Sequence, residues 1–294
     1  MRVVGIGGGH GLAATLTAAQ TYAADVAAVV TVADDGGSSG RLTRELGIPA
    51  PGDIRNCLVA LAGDRELADL YQHRFTSGAL TGHTLGNLLI AALTEMTGDF
   101  AAAVAEAGRL LRCTGKVYPA TATPVELGAE VSGGQIRGQV AVAQTRRPIQ
   151  AVHLTPPDAP AHPAAVDAIG VADQVVLGPG SLFTSLIATI IVPRIRRALH
   201  ETRARKVFVC NTRMQKGETE GLDAGAHLGA LLAHAGPYCV DTVVVHSPVV
   251  DSDGVVIERK GLEYPGVEIV EARVAGPDGI HDPDRLAEVL GSLT

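Results

Sequence analysis

The chain has 294 residues, 46% of them hydrophobic but only 3% aromatic, and carries a formal net charge of −7. That length builds one large or two modest domains around a core of Ala, Val, Leu and Ile. The acidic balance and the lack of a long basic run argue against nucleic acid or an anionic membrane as the main partner. No run of ~20 apolar residues offers a membrane span. Met1-Arg2 leads straight into a strand pattern, with no secretory leader.

Arg2–Ile6 reads as a first strand, followed by a glycine loop and a helix at Leu12–Gln20. Asp25–Val32 reads as the second strand. Strand, glycine loop, helix, strand is the rhythm of a parallel doubly wound sheet. Leu58–Ala62, Glu66–Phe75, Leu85–Leu93 and Phe100–Leu111 have helical character. Residues 117–152 change texture: 119–127 and 138–142 have β character around a Ser132-Gly133-Gly134 turn, an antiparallel excursion packed on the main sheet. After a proline-rich connector at 156–160 the α/β rhythm returns. Strands are expected at Gln174–Leu177, Lys206–Cys210, Thr242–His246 and Glu268–Arg273, and helices at Ser181–Leu199, Ala224–Ala235 and Asp282–Leu290. The expectation is a single α/β domain over 1–294, with a β-rich insert at about 117–152.

Chemistry gathers at the strand ends. Asp34-Asp35-Gly36-Gly37-Ser38-Ser39-Gly40-Arg41 follows the second strand. Paired carboxylates can hold a hydrated divalent cation. Glycine N–H groups, hydroxyls and an arginine bind phosphate oxygens. Asp34 and Asp35 are therefore candidate ligands of a divalent cation, and Ser38, Ser39 and Arg41 candidate ligand contacts. Gly7-Gly8-Gly9-His10-Gly11 opens a helix, where an anion is favoured. It lacks the spacing of the dinucleotide fingerprint. Asp53, Arg55 and Asn56 precede an apolar helix, where Asp53 serves equally well as a cap. His83 and Asn87 lie four residues apart and share one helical face. Gly178-Pro179-Gly180-Ser181, with Thr184 beyond, makes a second anion cradle. Asn211 ends a further strand, before Gln215, Glu218 and Thr219. Ser38 and Ser39 have no histidine nearby in the sequence, which argues against covalent serine catalysis. Cys57, Cys113, Cys210 and Cys239 are far apart and lack metal spacing, as expected of reduced thiols in a cytoplasmic protein.

GGGHGL, TVADDGGSSGRL, PGDIRNCLVAL, GHTLGNLLIAAL, VVLGPGSLFTSLI and the segment from Asn211 to Thr219 occur in this order. Together they resemble the YvcK family, the gluconeogenesis factors, within the superfamily shared with the transferase CofD. The resemblance implies a Rossmann-like three-layer α/β fold and binding of a nucleotide or nucleotide sugar such as UDP-N-acetylglucosamine. It also implies a role in cell shape and cell-wall synthesis during gluconeogenic growth, exercised through a protein partner; a homo-oligomer is compatible with it. The family usually has threonine where His10 stands, and often arginine where Ile280 precedes His281-Asp282. Two functional classes follow. One is a non-catalytic nucleotide-sugar sensor. The other is a magnesium-dependent CofD-like transferase moving a phosphorylated group from a nucleotide donor. An NAD oxidoreductase ranks last, because the fingerprint spacing is absent.

Overall fold

The computed structural model describes residues 1–294, the side chains of Arg259 and Lys260 excepted. The chain begins β1 (Arg2–Gly7), α1 (Gly9–Tyr22), β2 (Asp25–Val30), α2 (Gly37–Leu46), α3 (Gly52–Ala60), α4 (Arg65–Gln72), α5 (Leu85–Thr97) and α6 (Phe100–Leu110). It continues β3 (Lys116–Pro119), β4 (Glu126–Val131), β5 (Gly134–Arg137), α7 (Gln139–Ala143), β6 (Ile149–Thr155), α8 (Pro163–Gly170) and β7 (Gln174–Leu177). A π-helical turn, Leu182–Ile187, then runs into α9 (Ala188–Ile190) and α10 (Pro193–Glu201). The last elements are β8 (Arg205–Val209), α11 (Ala224–Ala235), β9 (Thr242–His246), β10 (Glu268–Ala272) and α12 (Pro283–Ser292).

The main sheet has seven strands in the order β10-β9-β8-β7-β1-β2-β3, and every pair is parallel. β1 and β2 are buried at five of their six positions, as strands covered on both faces must be. Successive residues serve opposite layers. Val4, Ile6, Val29, Val175 and Leu177 enter one core. Val3, Ala28, Val30 and Val176 enter the other, with Leu12, Leu58 and Leu290. Helices on both faces of a parallel sheet make the three-layer α/β architecture expected from the sequence.

β5-β4-β6 form a separate antiparallel sheet. Its Leu127, Ala129, Val152 and Leu154 join the first of these cores, so the excursion packs on the main sheet. Its composition differs in three places from the sequence reading. Lys116–Pro119 belongs to the parallel sheet, beside β2. Residues 138–142, expected as β, form α7: Gly138 turns the chain at φ +92°, and the Val140 N–H is bound by Asp35. β6 extends to Thr155, past the expected limit.

Three helical stretches also depart from expectation. The glycine–serine stretch after β2 is not an open loop but the start of α2, and α3 begins at Gly52 rather than Leu58. The helix expected over Ser181–Leu199 is instead a π-turn, a short α-turn and, from Pro193, a new helix. Proline has no N–H to continue the ladder and stands comfortably in a first turn.

Candidate functional site

β1 has β2 on one side and β7 on the other. The strand order reverses there, and the crevice beyond the carboxyl ends at such a switch point is where open α/β sheets bind ligands. The two glycine loops that follow β1 and β7 meet in it. A Cβ built on Gly11 would lie 2.4 Å from the Pro179 carbonyl oxygen, and one on Gly180 would lie 2.9 Å from the Gly8 oxygen. Only glycine permits this approach. Gly7 and Gly178 both have positive φ. The Gly7 carbonyl is held by the Thr31 N–H at 3.0 Å and the Thr189 hydroxyl at 3.2 Å. The Gly180 N–H donates to Asn211 Oδ1 at 3.2 Å, and Gln215 Nε2 donates to Ser181 Oγ at 2.9 Å. The ends of β1, β2, β7 and β8 are thereby tied together. His10 is exposed in the first turn of α1 and makes no hydrogen bond among the described residues.

The second half of the site is built by the first turns of α2, α3 and α5. A Cβ on Gly8 would come within 2.2 Å of Asp53 Oδ2, so the first loop leans on the α3 acid. A Cβ on Gly52 would meet Ser39 Oγ at 2.5 Å and Asp34 Oδ2 at 3.1 Å. Asp34 also accepts the Gly36 N–H through Oδ1 at 2.9 Å. Desolvation pushes the Asp53 carboxyl up to about 7, the nearby Asp34 charge adds to the rise, and the Gly9 N–H and Arg55 oppose it. Asp35, sequence neighbour of Asp34, accepts the Val140 N–H through Oδ1 at 2.9 Å and so anchors the small sheet to the site. Among the described residues no group of three or more His, Cys, Asp and Glu is arranged to hold a metal ion.

Arg55 is buried, and its guanidinium organises the neighbouring helices. Nη1 donates to Thr84 Oγ1 at 2.6 Å and Asn87 Oδ1 at 2.9 Å, and Nη2 donates to Asn56 Oδ1 at 2.8 Å. Arg41 reaches back to the Thr81 carbonyl at 2.7 Å. Ser38 Oγ and His83 Nδ1 are 2.9 Å apart, both residues being buried. A histidine partner for Ser38, absent from the local sequence, is therefore supplied by the fold. Burial and the Arg41 charge lower the basicity of His83, while Glu45 opposes them.

Glu218, Thr184 and Thr219 stand behind the crevice. Glu218 is buried and accepts from Phe183 N at 2.6 Å, Thr184 N at 2.9 Å and Thr184 Oγ1 at 3.0 Å. It caps the π-turn as a side-chain N-cap caps a helix. Desolvation raises its pKa against those three bonds. Thr219 Oγ1 accepts the Gln215 N–H at 2.9 Å and shapes the bend that presents Gln215. Thr31 and Thr84 belong to the site but were not singled out from sequence. Thr84 sits inside the Gly82–Asn87 motif, where its signal was available. A cavity of about 700 Å³ between α6 and β3, lined by Val104, Cys113, Tyr118 and His162, shares no lining residue with this cluster.

The model of the family described as 2-phospho-L-lactate transferase CofD matches residues 3–275. The "Gluconeogenesis factor" of Halalkalibacterium halodurans is 45% identical over 254 residues, covering 85% of this chain and 79% of that protein. The protein of the same name from Bacillus subtilis is 44% identical over 257 residues, 86% of this chain and 80% of its own length. A crystal structure of a UPF0052 family member from Bacillus halodurans superposes with a TM-score of 0.94 at 39% identity, covering 98% of each chain. The fold, the ordered motifs and these matches agree: the chain belongs to the CofD family, on its YvcK branch of gluconeogenesis factors.

Proposed function

We propose that this protein binds a nucleotide sugar of the UDP-N-acetylglucosamine type in the crevice at the carboxyl end of β1, and acts as a regulator of cell-wall precursor supply under gluconeogenic growth. The observation that carries the reading is the close approach of Gly11 to the Pro179 carbonyl, which sets two glycine loops side by side at the carboxyl ends of β1 and β7. Backbone N–H groups at such loops and at helix N-termini suit phosphate oxygens. In this reading Asn211 and Gln215, which bond the second glycine loop, orient the rest of the ligand. The gluconeogenesis-factor names of the relatives support the link to gluconeogenic growth.

The second reading is a CofD-like transferase, and the Asp34–Asp53 pair favours it. Burial raises the Asp53 carboxyl to about 7 and the Asp34 charge adds to the rise, so a divalent cation bound there would offset both the desolvation and the repulsion. Bound there, Mg²⁺ would neutralise phosphate charge during group transfer. Asp34 and Asp53 would hold the ion, and Asp35 would position the loop that carries Asp34.

Calorimetric titration of UDP-N-acetylglucosamine and GDP, each with and without Mg²⁺, tests both readings. The sensor reading expects micromolar UDP-sugar binding without metal, weakened by roughly tenfold or more in Gly11→Ala. GDP binding that requires Mg²⁺ and disappears in Asp34→Asn/Asp53→Asn would favour the transferase. Absence of UDP-sugar binding under both conditions overturns the sensor reading.

A further inference from the structure

Gly36-Gly37-Ser38-Ser39-Gly40 is a glycine-x-serine-x-glycine string that follows a strand and opens a helix. In this spacing flanking glycines let a serine stand close to backbone at a strand-to-helix turn. The outer glycine is required here, because a Cβ on Gly40 would lie 1.7 Å from the Asp35 carbonyl oxygen. Ser38 Oγ is 2.9 Å from His83 Nδ1, within the range of a nucleophile and its base.

Donors for developing negative charge lie alongside. α2 has no side-chain cap, and its first backbone bond runs from Gly40 N to Gly36 O. The N–H groups of Gly37, Ser38 and Ser39 have no backbone acceptor among the described residues. Unpaired N–H groups in the first turn of a helix, beside a nucleophile, suit an oxyanion-type site. The position of Gly37 adjoins open space, since a Cβ there would meet nothing within 4 Å. On the base, Nε2 makes no hydrogen bond among the described residues, yet is not sealed from solvent. Burial and Arg41 favour the neutral imidazole that a proton acceptor requires.

We propose that Ser38 is an activated nucleophile, with His83 as its base, toward tetrahedral phosphorus electrophiles of the phosphoric ester or anhydride class. In the step, Ser38 Oγ forms a bond to phosphorus as its proton passes to His83 Nδ1. The phosphorus–oxygen bond to the leaving group breaks, and that group departs with the electron pair. The unpaired α2 N–H groups face the charge that builds on the phosphoryl oxygens. This activity does not depend on the nucleotide-sugar reading, because it concerns only the α2 end of the crevice.

The test is covalent capture by a fluorophosphonate probe, whose phosphorus–fluorine bond replaces the phosphorus–oxygen bond. The full chain is incubated with the probe, and the adduct is read by intact mass and peptide mapping. One adduct per chain is expected, mapped to Ser38 and absent from Ser38→Ala. In His83→Gln, whose amide can still bond Ser38, labelling should slow by roughly 100-fold, the scale of a lost general base. Melting curves of both variants verify that they fold. No adduct on Ser38 in the wild type overturns the proposal. So does labelling at an unchanged rate in folded His83→Gln. Neither result bears on UDP-sugar binding, which the titration reads separately.

Discussion

His281 is held neutral by the fold. Its Nε2 donates to the Cys210 carbonyl at 3.2 Å, and burial, with the nearby His246, pushes its pKa from 6.5 down to about 4, against the pull of that bond. The unfolded chain therefore binds a proton at His281 that the folded one refuses. The contribution to stability is whole above about pH 6.5, falls as the pH falls, and is lost below about pH 4. A fall from 6.5 to about 4 corresponds to at most about 3 kcal/mol. Urea unfolding at pH 7, 5 and 4 should show wild type losing more stability on acidification than His281→Gln; parallel slopes would refute this assignment. At this scale the sequence displays residue types but not their partners. Asp53, Arg55, His83 and Asn87 were legible as candidates from their strings. The Ser38–His83 pair was not, because 45 residues separate its members.

At the scale of elements, α2 carries the greatest surprise. Gly37-Ser38-Ser39-Gly40 has poor helix propensity, and composition favours a loop. The helix forms because its first turn packs on the Asp35 carbonyl, which only glycine at 40 allows. Gly40→Ala should push α2 off that carbonyl and cost about 3 kcal/mol or more, a loss measurable as a lower melting temperature. An unchanged melting temperature would mean that the approach is not required. α7 was missed for the same kind of reason. Val140 and Val142 have strand propensity, but the Asp35 carboxylate, 105 residues earlier, binds the Val140 N–H and starts a helical turn. The helices with strong local signals were easier to read. Asp99, Asp223 and Asp282 each cap the helix that follows, and Pro283 stands in its first turn.

At the scale of the molecule, the last helix closes the layer begun by the first. The Tyr22 hydroxyl donates to Gln174 Oε1 at 2.9 Å, and Gln174 Nε2 donates to the Leu290 carbonyl at 3.0 Å. Leu286 and Leu290 are fully buried in the core that also holds Leu12 and Leu16. Leu290→Ala should cost about 2–5 kcal/mol, read from the midpoint of chemical denaturation. A smaller loss would show that α12 is dispensable to that core. Among the described residues no helix is long and apolar enough to cross a membrane.

The sequence by itself determined six of the seven strands of the parallel sheet, β3 being the exception, because burial between two layers leaves short runs rich in Val, Ile and Ala. It determined the glycine loops after β1 and β7, and the family to which the chain belongs. The tertiary structure decided which of those loops touch, that Asp53 feels the Asp34 charge while Asp35 binds the Val140 N–H, that Ser38 has a histidine, and that the stretch after β2 is helical. The physical reason is range. Periodicity and caps act within a few residues, so they are written locally. Carboxylate pairs, hydroxyl–imidazole contacts and the close approach of a glycine to a distant carbonyl exist only once the strand order has brought separate segments together.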